Sequence, residues 1–167
     1  MRFTPIILAL AAALTGVVLL ISVGEGTAGP QTVWTSQDGN VRVLFTLDKL
    51  RYVRGEAVTL RLTVANLGQT PLSYHFRSGK HYDFEIYRGG TLIWRWSEGK
   101  VFVQMLTTFQ VPPGERKDFV EQWRQMDLRG GYVPPGEYTA VAFLPVDREA
   151  GGAAAPDRLV LHFSILP

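Results

Sequence analysis

Apolar and polar residues alternate with a period of two through most of the chain. Val41, Val43, Phe45 and Leu47 interleave with Arg42, Leu44, Thr46 and Asp48, the pattern of a strand with one buried face. Val58, Leu60, Leu62 and Val64 do the same with Thr59, Arg61 and Thr63, and Asn66-Leu67-Gly68 ends that run. After Pro71, Leu72, Tyr74 and Phe76 point one way and Ser73, His75 and Arg77 the other. Two Pro-Pro-Gly-Glu segments, beginning at Pro112 and Pro134, fit type II turns because Pro fixes φ and Gly accepts positive φ. Each leads into a strand, over residues 116–123 and 138–144. Leu159, Leu161, Phe163 and Ile165, against Val160, His162 and Ser164, predict a closing strand. Helical periodicity is absent outside the N-terminal segment. The pattern predicts an all-β chain, an immunoglobulin-like antiparallel β-sandwich of about 7–9 strands.

Between the third run and the first Pro-Gly turn lies the densest aromatic stretch. Residues 82–87 and 91–97 flank Arg88-Gly89-Gly90 as a β-hairpin. A two-residue loop at Gly89-Gly90 would place Asp83 opposite Trp96 and Glu85 opposite Trp94, mixing carboxylates with tryptophans. A three-residue loop pairs Tyr82 with Trp96, Phe84 with Trp94 and Ile86 with Leu92. It sets Asp83 opposite Arg95 on the other face. Since a slip of one residue exchanges the faces, the second register is expected. On it, Tyr82, Phe84, Trp94 and Trp96 face the core and Asp83 pairs with Arg95 outside.

The N-terminus has a different character. Met1 to Pro5 carries Arg2 and precedes an apolar run over residues 6–23, followed by small residues. Residues 1–28 are expected to be a signal peptide or a membrane-anchor helix, with residues 29–40 a linker that holds a short strand at Thr32-Val33-Trp34. Residues 41–167 form the β-sandwich domain. The chain is then exported, secreted or anchored to the membrane with its domain outside the cytoplasm, and the membrane is met only through the N-terminal segment. There are no cysteines, so disulfides, thiolate metal sites and a cysteine nucleophile are excluded. The net charge is +2 and the basic residues are scattered; no basic stripe or recognition helix points to nucleic acid.

Candidate chemistry is sparse. His75, His81 and Asp83 can be drawn as a metal triad, but Asp83 is already spent on Arg95 in the expected register. Ser78-Gly79-Lys80 lacks the upstream glycine of a phosphate loop, and no Gly-x-Ser-x-Gly elbow occurs. No enzyme, cofactor or metal is expected. Trp94, Trp96, Trp123 and Phe84 read as sandwich core rather than a binding platform.

Ser78, Gly79, Tyr82, Asp83 and Phe84, then Trp94, Trp96 and Ser97, then Phe102 and Gln104 together resemble the signature of the BsuPI-type intracellular proteinase inhibitor domain. Gly55-Glu56, Val64-Ala65-Asn66, Pro113-Gly114-Glu115 and Pro135-Gly136-Glu137-Tyr138 agree in style. The resemblance spans residues 55–144. It implies an immunoglobulin-like sandwich and inhibition of serine proteinases, with the signature residues serving as core and turns. An inhibitor of this kind would present a loop. Residues 124–134 offer Met126, Leu128, Arg129 and Tyr132; residues 147–157 form a floppy Ala-Gly tip and read as a connector. The alternative is a non-enzymatic cell-envelope module binding another protein through a sheet edge or loop end. The sequence leaves the oligomeric state open.

Overall fold

The alternating runs pair into sheets whose apolar faces turn toward each other. The computed structural model describes residues 17–18 and 29–167. The described strands are β1 (Val17–Val18), β2 (Gln31–Thr35), β3 (Val41–Leu47), β4 (Arg51–Val53), β5 (Val58–Asn66) and β6 (Leu72–Phe76). They continue with β7 (Asp83–Arg88), β8 (Thr91–Arg95), β9 (Thr107–Val111), β10 (Arg116–Trp123), β11 (Gly136–Phe143) and β12 (Leu159–Leu166). One sheet has the order β1-β2-β3-β5-β10, the other β4-β12-β11-β7-β8, and β6 pairs with β9 apart from both. Every pair is antiparallel except β12 with β4.

The helix expected over residues 1–28 falls outside the described residues, apart from Val17 and Val18. These two are extended and pair with Trp34 and Val33. Among the described residues no helix is long and apolar enough to cross a membrane. The short strand expected at Thr32-Val33-Trp34 is present as β2, paired along β3.

The core is the set of inward positions the alternation picks out. Val43, Phe45, Leu60, Leu62 and Val64 from one sheet meet Phe84, Ile86, Ala140, Leu161 and Phe163 from the other, all buried. Phe45 and Phe84 touch across the layers at 5.9 Å between ring centroids. Trp123 sits against Tyr138 and Phe163 at 5.9 and 6.2 Å. The Tyr138 hydroxyl donates back to the Pro134 carbonyl at 2.5 Å, the corner by which immunoglobulin-like sandwiches tie a tyrosine to the chain just before its strand. Burial of this apolar surface is the main stabilising term for a chain without disulfides.

The β7–β8 hairpin corrects the expected register. Arg88 pairs with Thr91 across a two-residue loop, Gly89-Gly90, with φ of 54° and 81°. That is the positive-φ pair required by a type I′ turn. A bulge then adds one residue, Ile93, on β8, so that Ile86 meets Trp94 and Glu85 meets Arg95. Trp96 N–H donates to the Phe84 carbonyl at 2.9 Å. The partner of Arg95 is therefore Glu85, not Asp83. The bulge restores the separation of faces that a two-residue loop alone would have destroyed.

Candidate functional site: an apolar loop clamped through a buried aspartate

Two of the outward side chains of β7 are carboxylates, Asp83 and Glu85, and neither reaches solvent. A buried carboxylate must be paired and hydrogen-bonded to remain ionised. Each is, in its own way.

Glu85 is held on the face of its sheet. Its Oε1 accepts from Arg95 at 2.9 Å, and its Oε2 accepts from the Tyr87 hydroxyl at 2.7 Å and from Arg158 at 2.8 Å. Arg158 also lies over the Phe143 ring, 4.9 Å from its centroid. Burial pushes the Glu85 carboxyl up, but the hydrogen bonds from Tyr87 and Arg95 and the charges of Arg158 and Arg95 outweigh it. The net shift is below the ordinary value.

Asp83 is tied instead to the loops at the end of the hairpin. Its Oδ2 accepts from the Lys80 ammonium at 2.9 Å and from the Ser97 hydroxyl at 2.6 Å, and its Oδ1 from Ser97 N–H at 3.2 Å. Ser97 begins the connection from β8 to β9, so Asp83 fixes one end of that loop. Gly79 N–H donates to the Val103 carbonyl at 2.9 Å, fixing its middle. A Cβ at Gly79 would stand 2.9 Å from Val103 Cγ2, too close for any other residue without displacing that side chain. At the far end the Thr107 hydroxyl donates to the Ser78 carbonyl at 2.6 Å and meets His81 Nε2 at 3.0 Å. Burial and the Lys117 charge hold the His81 imidazole below its ordinary value.

Ser78, Gly79, Lys80, Asp83 and Ser97 thus act together on residues 97–107. Inside the loop, Phe102 packs on Trp96 with ring centroids 5.8 Å apart, and Trp96 stacks on Tyr82 at 4.2 Å. The Lys100 ammonium lies 4.2 Å above the same indole, a cation–π contact. What remains outside is largely apolar: Val101 is 99% exposed, Leu106 75%, Met105 61% and Val103 59%. Val101, Gln104 and Met105 make no backbone hydrogen bond with the described residues. The segment is thus apolar, largely unpaired, bent at Met105 and fixed at its ends.

The loop over residues 124–134 is braced from within. Asp127 Oδ1 accepts from Arg129 N–H and Gly131 N–H, each at 2.9 Å, and Met126 bridges to Tyr132. Trp123 Nε1 donates to the Met126 carbonyl at 2.8 Å. Gln125, with φ of 58°, is buried and bonds both Gly55 N–H and the Val53 carbonyl. Leu128 N–H donates to Ile93, so the loop lies along the free edge of β8. Leu128, Arg129 and Tyr132 are exposed, and Met126 is half-buried. Gln104 is exposed and bonds only the Phe102 carbonyl through its side chain.

The Ala-Gly tip is held in place. Ala153 N–H donates to the Ser73 carbonyl, Asp147 N–H to the His75 carbonyl, and Tyr74 OH to the Ala154 carbonyl. Arg77 pairs with Asp147 and Glu149, and a shallow surface hollow of about 170 Å³ lies between this loop and Tyr74. His75 faces Thr108, not His81. Among the described residues no group of three or more His, Asp or Glu could hold a metal ion.

The chain is a member of the BsuPI family, described as intracellular proteinase inhibitor, whose model matches residues 45–149. The expected export is corrected by this description, which names the family intracellular. No curated protein matches the chain. Among solved structures, it is similar to the CARDB domain of the PF1109 protein from Pyrococcus furiosus. That likeness has 18% identity, covers 70% of this chain and 80% of that one, and has a TM-score of 0.39. Spo0M, a sporulation control protein from Bacillus subtilis, matches at 16% identity over 76% of this chain and 49% of that one, TM-score 0.44. A cycloisomaltooligosaccharide glucanotransferase from Paenibacillus sp. matches at 15% over 72% and 13%, TM-score 0.44. Likenesses this distant carry nothing about function.

Proposed function

We propose that this chain inhibits serine proteinases by placing residues 98–106 in the enzyme's cleft. The observation that carries this reading is the combination of exposed apolar side chains at Val101, Val103, Met105 and Leu106 with anchors at Ser97, Val103 and Thr107. Family membership supplies the class of partner. Pre-ordering matters because a loop already fixed loses little conformational entropy on docking, so more of the contact energy appears as affinity. The loop over residues 124–134 is equally fixed but lies along β8 and exposes a mixed set of side chains.

The test uses the purified full chain with subtilisin, chymotrypsin and trypsin. Stoichiometric inhibition of at least one enzyme is expected. It is lost when residues 101–106 are replaced by Gly and Ser, and kept when residues 126–129 are replaced in the same way. A full chain that inhibits none of the three overturns the reading.

A further inference from the structure

The clamp divides the loop unevenly. Phe102 is packed on Trp96, and the Val103 carbonyl is spent on Gly79. Thr107 is fixed by Ser78 and His81 and begins β9. Between these anchors Gln104, Met105 and Leu106 bridge the gap. All three side chains are exposed, and the backbone groups of Gln104 and Met105 are unpaired within the described residues.

We infer that Met105 is the side chain that enters the proteinase's specificity pocket, and that the partner enzymes are those with an apolar pocket. This rests on the inhibitory reading above. A cleft that binds extended chain needs free N–H and C=O groups on either side of the inserted residue, together with a side chain standing clear of its own fold. Met105 meets both conditions, with anchors two residues away on each side. Val101 stands clearer still, but both its neighbours are committed to Trp96, Lys100 over the indole and Phe102 packed on it, so they are not free to follow a cleft. Methionine is long, unbranched and polarisable, and fills an apolar slot of irregular shape. Within residues 98–106 the sole basic side chain is Lys100, and its ammonium is occupied by the indole. A pocket with an acidic floor therefore finds no cation to pair with.

Inhibition constants of the full chain and of Met105→Arg and Met105→Gly against subtilisin, chymotrypsin and trypsin test this. Thermal melts confirm that both variants fold; the site is exposed, so little change is expected. The full chain inhibits subtilisin or chymotrypsin about 100-fold more tightly than trypsin. Met105→Gly weakens that inhibition by a similar factor, and Met105→Arg shifts the preference toward trypsin. If the full chain inhibits but neither variant changes any constant, the inference on Met105 is wrong while the inhibitory reading stands. A trypsin preference that disappears with Arg129→Gly also overturns it, in favour of the other loop. No inhibition by the full chain removes the inhibitory reading itself.

Discussion

The two loops beside β8 are fixed by opposite means. Residues 124–134 are held largely by their own Asp127, which gathers the N–H groups of Arg129 and Gly131. Residues 97–107 are held by a segment far from them in sequence, residues 78–83, through Asp83, Gly79 and Ser78. A self-braced loop spends its own residues on turn chemistry, and its exposed positions are what remains. A loop braced from outside is free to carry any side chains it likes. Here it carries apolar ones into solvent, at the cost of a dedicated buried ion pair. That difference is why the second loop is the stronger candidate for a contact surface.

The largest way to break this comparison is Asp83→Ala. Removing one member of a buried, hydrogen-bonded pair leaves Ser97 and Lys80 without their acceptor and costs about 3 kcal/mol in urea denaturation. Residues 98–106 should then become the first site cut in limited proteolysis, while residues 124–134 stay protected. Glu85→Gln sharpens the point, because Glu85 sits on the same strand but braces the sheet face. It should cost about 2 kcal/mol, less than Asp83→Ala because Arg95 and Arg158 are partly exposed and screened. It should leave both loops protected. Its pH signature is separate. A carboxyl depressed in the folded state contributes stability that is complete above its unfolded value and lost as pH falls through the folded one. The parent chain should therefore lose stability as pH drops below the ordinary glutamate value of 4.5, and Glu85→Gln should show a shallower acid limb in the same titration. The smallest effect belongs to Asp127→Ala, about 1 kcal/mol for the lost loop hydrogen bonds. It should expose residues 124–134 to cleavage and leave inhibition unchanged.

The same contrast explains what the sequence could and could not reveal. Strands whose inner residues alternate, such as Val58, Leu60, Leu62 and Val64, were legible because a half-buried strand leaves that trace directly. So was the inward set of the hairpin, Tyr82, Phe84, Trp94 and Trp96. Its partners were not. Alternation constrains only the parity of pairing, and a three-residue loop satisfies the same parity as a two-residue loop with one bulged residue. The two differ by a shift of two positions, which moved Arg95 from Asp83 to Glu85. The burial of both carboxylates was hidden for a related reason. Periodicity puts Asp83 and Glu85 on the outer face, and only the folded chain brings Arg158, Ser97 and Lys80 to cover them.

The signature residues read as core and turn, and Tyr82, Phe84 and Trp96 do pack there. Ser78, Gly79, Asp83 and Ser97 do something else: they reach across to the loop. Residues 100–106 had only a weak signal, a mixture of apolar residues that fits neither strand nor helix period. Met126, Leu128, Arg129 and Tyr132 stood out instead, as the side chains that residues 124–134 could offer to a specificity pocket.

The chain's own methionines offer the most direct measurement. Met105 and Met126 mark the two loops, and thioether oxidation by dilute peroxide reports how accessible each one is. The rates at both residues should be read by mass spectrometry in the full chain, alone and with a subtilisin whose catalytic serine is replaced by alanine. Occupation of the cleft by residues 98–106 predicts that Met105 becomes protected while Met126 oxidises at an unchanged rate. Protection of Met126 with Met105 unchanged, in a complex that forms, contradicts it.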